Sequence, residues 1–149
     1  TGDKQLEQAY ESLEKKVQNK ATRKAVRAGA KVLLEATKAN VPIGPGNKHH
    51  EGGLFRKSLV VRAMKGRRGR IGVSVRIKNV EKIITITQGL RGKKVKGVRH
   101  FYPAVIEYGD EHRQPLAPMR RAFDSKKGAA LSAMRQIMET EVYAAAKQR

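Results

Sequence analysis

The chain has 149 residues, with 33 lysines and arginines against 13 acidic residues, which gives a formal net charge of +20. A chain of this length is expected to form one domain, residues 1–149, that buries a core without disulfides or a structural metal. It has no cysteine, which excludes disulfides and thiolate metal ligands. No apolar run approaches the roughly 18–20 residues of a membrane span, and the early acidic residues argue against a signal peptide. We therefore expect a soluble protein with no membrane partner.

The positive charge is concentrated in the middle of the chain. Residues 56–100 hold fifteen basic side chains and a single acid, Glu81. Two glycine-bounded basic segments are predicted to form hairpin tips, and the residues expected to contact phosphates or an acidic partner are Arg67, Arg68, Arg70, Arg91, Lys93, Lys94 and Lys96. A simple solvated face is the alternative interpretation. No aromatic residue lies between Arg56 and His100, so stacking on single-stranded bases is not expected.

In chain order, the first predicted element is a long helix over residues 3–40. Its apolar and small residues recur about every 3.67 residues, which matches a straight helical stripe, and Pro42 disfavours helix in the residue before it. Unbroken, this helix would measure roughly 57 Å, longer than the diameter of a compact domain of this size, on the order of 40 Å. We therefore expect either a break around Asn19-Lys20 or a projecting arm over residues 1–20. Its apolar residues, expected to contact another subunit, are Leu6, Tyr10, Leu13 and Val17.

The rest of the chain is predicted to contain strands followed by a second long helix. An inserted loop over residues 43–52 comes first, and alternation of apolar with small or basic residues then indicates strands. The predicted elements are strands at residues 59–61, 71–78 and 82–87, a short helical turn at 102–108 closed by Gly109, with a strand as the alternative, and a helix from Pro118 or Asp124 to about Ala146. This order predicts an α+β fold, with the N-terminal and C-terminal helices packed on one face of a small antiparallel sheet and extended basic hairpin loops.

Few residues have the chemistry of catalysis or metal binding. His49, His50 and Glu51 are adjacent on a glycine-bounded loop, without the i, i+4 spacing that brings two histidines to one ion. Glu107 lacks the cleft and the second ionisable group that general acid–base work needs. We expect it instead to make a structural contact with backbone amides or a basic neighbour. The prediction is a protein that is not an enzyme, with no catalytic residue, metal, cofactor or small-molecule substrate.

Two ordered motifs resemble a known structural family. The first motif follows the long helix and consists of a short proline segment, then Gly53, Leu54, basic residues and Ser58 at the start of a strand. The second motif is an aromatic residue, an apolar turn, a Glu-aromatic-Gly stop, a proline-punctuated loop and the closing helix. Its residues are Tyr102, Ala104, Glu107, Tyr108, Gly109, Pro118, Ala122 and Phe123. In order and spacing, residues 21–146 resemble the tailed-bacteriophage neck and minor tail-component family, typified by gene product ten of phage HK97.

The resemblance implies a structural virion protein. It leads us to expect a ring-forming neck or tail-completion subunit at the head–tail junction, assembled in the host cytoplasm and needed to join or finish the tail. The implied partners are copies of the chain itself, an adjacent head-closure protein and a tail-terminator or tail-tube protein, with non-specific contact with packaged DNA left open. The alternative function is that of a basic, non-sequence-specific nucleic-acid-binding protein of ribosomal or nucleoid type.

Overall fold

The computed structural model describes residues 2–43, 52–64, 70–78, 84–87 and 98–147. Its helices and strands confirm the predicted α+β class. The helices are α1 (Gly2–Glu11), α2 (Lys15–Asn40), α3 (Leu54–Ser58), α4 (Tyr102–Tyr108) and α5 (Pro118–Ala146), and the strands are β1 (Leu59–Ala63), β2 (Val73–Ile77), β3 (Ile84–Thr87) and β4 (Val98–Phe101). The predicted inserted loop at 43–52 lies outside the described residues except at its two ends.

The two long helices, α2 and α5, form the most extensive interface between elements of the described chain. Every fourth residue on one face of α2 is small, at Ala21, Ala25 and Gly29, and all three are buried. Residues four apart lie on the same helix face, so this row of small side chains lets α5 approach closely. Met134 and the backbone carbonyl of Ala130, both on α5, lie directly against Gly29.

Gly29→Ala is expected to lower the free energy of unfolding by about 1 kcal/mol. A Cβ atom there would lie 2.7 Å from Met134 Cγ and 3.0 Å from the Ala130 carbonyl oxygen. Overpacking of this kind costs about 1–3 kcal/mol, which outweighs the roughly 1 kcal/mol by which alanine favours a helix over glycine. Urea unfolding measures the change. In a Met134→Ala background the same substitution should become neutral or stabilising, and an equal loss in both backgrounds would argue against the close contact.

The main apolar cluster joins the C-terminal half of α2 to α3, β1 and α4. It consists of Leu34, Val41, Phe55, Leu59 and Ile106, and partly buried residues of β1 and β2 pack against it. Phe55 is only 2% exposed. Because α2 contacts β1 and β2 as well as α5, it links the β1–β2 pair to the closing helix.

The strands form two antiparallel pairs. β1 pairs with β2, with Leu59 opposite Ile77, and β3 pairs with β4, with Ile84 opposite Phe101. The sequence does not predict β4, because four residues are too few for an alternation of period two to stand out. The predicted helical turn after it is confirmed as α4, and the alternative strand at this position is wrong.

The first predicted helix is two helices rather than one. α1 ends at Glu11 and α2 begins at Lys15, so the break lies at residues 12–14 and not at Asn19-Lys20. The side-chain amide of Gln18 donates to the backbone carbonyls of Tyr10 and Leu13, each at 3.0 Å. Carbonyls at the end of a helix need partners of this kind, and a side chain from the next helix supplies them here.

After this break, α1 turns back on its own chain and does not project. It contacts α5, and an exposed ion pair of 2.6 Å joins Asp3 to Arg135. The hydroxyl groups of Tyr10 and Thr22 hydrogen-bond at 2.9 Å. An unbroken helix would be longer than the domain. The break at residues 12–14, rather than a projecting arm, is what lets this segment fit.

Candidate assembly site at the junction of α4 and α5

The second motif builds a tight turn between α4 and α5. The amide of Gly109 donates to the Val105 carbonyl at 2.8 Å and closes α4. Gly109 has a φ of +79°, a conformation that glycine adopts without steric cost. Directly after it, Asp110 forms a β-bridge with Arg113, and its carboxylate accepts a hydrogen bond from the His112 amide at 2.9 Å.

The chain then returns to α4 before α5 begins. The carbonyl of Ile106 accepts hydrogen bonds from the amides of Leu116 and Ala117, at 3.0 and 3.1 Å. Ala117 has a φ of 45°, which makes it the non-glycine residue with positive φ in the described chain. Pro118 follows as the first residue of α5 and is buried. Proline suits this position because the amide that it lacks would have no partner inside the helix.

Glu107 caps the N-terminus of α5 from the end of α4. Its Oε2 atom accepts from the Met119 amide at 2.9 Å and its Oε1 atom from the Arg120 amide at 3.1 Å. The residue is 8% exposed. A carboxylate is favoured here because the first amides of a helix lack intrahelical acceptors and carry partial positive charge. The predicted contact of Glu107 with backbone amides is confirmed.

Two aromatic residues of the same motif face solvent beside this capped turn. Tyr108 is 71% exposed and Phe123 is 54% exposed. The guanidinium of Arg120 lies 6.0 Å from the centre of the Tyr108 ring, and Phe123 comes three residues later on α5, hence on the same side of the helix. The motif therefore divides into a buried part that fixes the turn and an exposed part, Tyr108, Arg120 and Phe123, which we name the aromatic patch.

The first motif forms the entry to β1. Gly53 has a φ of 74° at the start of α3, and Ser58 ends that helix, with its hydroxyl donating to the Phe55 carbonyl at 2.7 Å. Leu59 then begins β1, as predicted. Leu54 is half-buried. This motif positions Phe55 in the core and lies in a different part of the fold from the aromatic patch.

The remaining motif residues have structural positions. Tyr102 is the first residue of α4, Ala104 is half-buried in that helix, and Ala122 is buried on α5. Among the predicted basic contact residues, the structure describes Arg70, which is exposed. The others, Arg67, Arg68, Arg91, Lys93, Lys94 and Lys96, lie outside the described residues.

The four predicted subunit-contact residues do not share one environment. Leu13 is only 6% exposed and packs inside its own chain. Leu6, Tyr10 and Val17 are half-buried. Leu13 and Val17 line a cleft of about 510 Å³ between the start of α2 and the end of α5. Contact of Leu6, Tyr10, Leu13 and Val17 with another chain stays a prediction.

Sequence reasoning missed a basic surface on the first half of α2. Arg23 and Arg27 are exposed, and their spacing of four residues places them on one helix face together with Lys15. The signal was present in the sequence as a basic stripe beside the apolar one, but the prediction followed only the apolar spacing.

The described residues form neither a metal-binding cluster nor a helix that could span a membrane. No group of three or more His, Cys, Asp or Glu side chains within them could hold a metal ion. His49, His50 and Glu51 lie outside these ranges. None of the helices that the structure describes is long and apolar enough to cross a bilayer.

Comparison with known proteins identifies a family. A family model described as "Bacteriophage HK97-gp10, putative tail-component" matches residues 4–109. The matched range includes the first motif and the second motif up to Gly109, whereas Pro118, Ala122 and Phe123 on α5 lie beyond it. No curated protein and no solved structure matches the chain.

Proposed function

The chain belongs to the HK97 gp10-like family of phage tail components, and from this membership we propose that it forms a ring at the head–tail junction of a tailed-phage virion. In that position it is a neck or tail-completion subunit that joins the tail to the head or finishes the tail. Family membership itself gives the chain a structural role in a phage tail, a place in the virion and contacts with other virion proteins.

The observation that carries the proposal is the aromatic patch beside a rigidly built turn. Tyrosine, phenylalanine and arginine are enriched in protein–protein interfaces, and the few hot-spot residues whose truncation costs about 2 kcal/mol or more are enriched in tyrosine and arginine. Glu107 and Gly109 hold the patch on a fixed backbone, so little conformational freedom is lost when a neighbour binds it. The patch therefore suits a repeated contact between subunits.

In a ring, this chain would have three kinds of neighbour. The aromatic patch would meet a second copy of the chain, while the faces above and below the ring would meet a head-closure protein and a tail-terminator or tail-tube protein. Packaged DNA would pass near the ring, where a chain of charge +20 lowers the electrostatic cost of a nearby polyphosphate. None of these roles requires a reaction, so we propose an assembly function and no catalysis.

We expect the double substitution Tyr108→Ser and Phe123→Ser to leave the subunit folded and to block its assembly. Both side chains are exposed, and exposed substitutions usually change stability by less than about 0.5 kcal/mol. The loss of two interface anchors should weaken each contact by about 2 kcal/mol, or roughly 30-fold. The measurement is the yield of infectious particles when the variant complements a phage that lacks the gene.

The matched control is Tyr143→Ser, which removes an exposed aromatic from the same helix roughly 30 Å from Phe123. This control should complement normally. Electron microscopy of the lysate without complementation should show DNA-filled heads with failed joining or unfinished tails. Normal infectious particles in that lysate would refute the proposal, and full complementation by the double variant would remove the aromatic patch from it.

The net charge of +20 is the observation that supports an alternative function, that of a non-specific nucleic-acid-binding protein. In that case affinity for duplex DNA should fall steeply with salt, with a log–log slope of about 0.9 per phosphate neutralised. Changing Arg67, Arg68, Arg91, Lys93 and Lys94 to glutamine should then flatten the slope by several units. For a ring subunit we expect only weak, sequence-independent binding, with dissociation constants of roughly 10⁻⁴–10⁻⁶ M. Nanomolar binding together with normal particles in the deletion lysate would favour the alternative.

A further inference from the structure

A groove of about 430 Å³ runs between the first half of α2 and the end of the β1–β2 pair where Ala63 lies opposite Val73. Beyond the last paired residues of the ladder, the amide of Met64 donates to the Gly72 carbonyl at 2.9 Å. This bond holds the two chain segments together where they meet the groove. Clefts of this size, on the order of 300–1,000 Å³, are typical of sites that take a small ligand or a few side chains.

One wall of the groove is basic. This wall is formed by α2 and includes Lys15, Arg23, Lys24 and Arg27. Arg70 lines the opposite side of the groove, and none of the lining residues is acidic. Lys24 is paired with Glu141 of α5 at 2.7 Å. Among the described residues, no ion pair joins Arg23 or Arg27 to an acid, and like charges four residues apart on a helix repel each other. An anionic partner would relieve this repulsion.

The floor of the groove is apolar. It consists of Ala63, Met64, Ile71, Gly72 and Val73. The Met64 side chain lies over Gly72, where a Cβ atom would come within 3.3 Å of its sulfur, and Met64 is 52% exposed. An exposed methionine is a flexible apolar contact that adapts to different partner side chains.

The positive charge of the basic wall and the apolar character of the floor together favour one class of partner. A DNA backbone would neutralise the basic wall but would cover the apolar floor with sugar and phosphate groups. An acidic peptide segment with apolar side chains between its carboxylates would satisfy both. Its carboxylates would form charge-assisted hydrogen bonds with arginine, and its apolar side chains would be removed from water by packing against the apolar floor. We propose that this groove binds such an acidic, apolar-interrupted segment of another protein. The inference goes beyond the proposed ring, since it uses neither the aromatic patch nor a position at the head–tail junction.

The test uses the full chain and a fluorescently labelled synthetic peptide in which glutamate and leucine alternate. Fluorescence anisotropy gives the dissociation constant. We expect Arg23→Gln with Arg27→Gln to weaken binding about tenfold, because two charge pairs are lost, and Met64→Ser to weaken it several-fold through loss of apolar contact. The matched control is Lys126→Gln with Lys127→Gln, which removes the same charge from exposed positions on α5 that do not line the groove, and it should change binding less than twofold.

Two comparison probes separate the proposal from general attraction of polyanions. A peptide of glutamate alone and a short DNA duplex should both bind more weakly than the mixed peptide, and Met64→Ser should not affect either. If all three probes bind equally and Met64→Ser has no effect on any of them, the groove is a phosphate-binding or general polyanion surface and the proposal is wrong. Equal losses in the groove and control variants would also overturn it. Circular dichroism and urea unfolding of each variant verify that a weaker affinity does not reflect an unfolded chain.

Discussion

Glu107→Ala should lower the free energy of unfolding by about 2–4 kcal/mol. The substitution removes a nine-tenths buried carboxylate that accepts two backbone hydrogen bonds, from Met119 and Arg120. Hydrogen bonds to a charged group each contribute about 1.5–3 kcal/mol, and the positive end of the α5 dipole loses its counter-charge as well. The measurement is urea unfolding, combined with hydrogen exchange at the amides of Met119 and Arg120, which should lose protection first.

Two further variants test this explanation. Glu107→Gln keeps the size of the side chain but can offer only one acceptor oxygen, so its loss should be intermediate. Glu111→Ala removes an exposed acid from the same turn and should change stability by less than about 0.5 kcal/mol. If Glu111→Ala were as damaging as Glu107→Ala, net charge rather than capping would explain the result.

Gly109→Ala should destabilise the protein by a similar amount, about 2–4 kcal/mol. A left-handed conformation costs a residue with a Cβ atom about 1–2 kcal/mol. The added Cβ would also lie 2.6 Å from the Arg113 carbonyl oxygen and 3.0 Å from the Pro115 nitrogen, both backbone atoms that can move only by distorting the turn. Steric overlap in a packed site typically costs a further 1–3 kcal/mol or so.

Gly128→Ala is the matched control for this prediction, with the opposite expected sign. Gly128 lies in the interior of α5, and nothing is within 4 Å of a Cβ atom added there. Alanine should therefore stabilise the helix by about 1 kcal/mol. Thermal unfolding of the two variants should shift the midpoint in opposite directions. A stabilised Gly109→Ala would show that the turn can adopt another conformation.

The sequence predicted those parts of the fold that depend on local chemistry. The helical period, Pro118 and Gly109 predicted α5 and the end of α4, and the lack of a catalytic setting around Glu107 led to the prediction of a structural contact with backbone amides or a basic neighbour. Each of these inferences uses residues within a few positions of one another. The capping partner of Glu107 is the exception, because the amides of α5 lie 12 and 13 residues away.

The break between α1 and α2 shows why the remaining features could not be predicted. Leu13 fits the apolar stripe of an unbroken helix, and the same side chain also fits the interior of the turn, so apolar spacing does not separate the two structures. The contact that favours the turn is the Gln18 amide on carbonyls five and eight residues earlier, which has no established sequence signature. The basic groove depends in the same way on α2 and β1–β2 meeting in three dimensions.

The interface between α2 and α5 has a consequence for the timing of synthesis. Lys24 pairs with Glu141, 117 residues further along the chain, and a ribosome that adds about 5–20 residues per second needs roughly 6–23 s to cover that distance. During this interval Ala21, Ala25 and Gly29 of the nascent α2 have no α5 to cover them. Contacts between distant parts of a chain also form slowly, because a long loop must close first. Docking of α5 is therefore expected to be the last folding step, and we expect its rate to limit how soon a newly made subunit is ready to assemble.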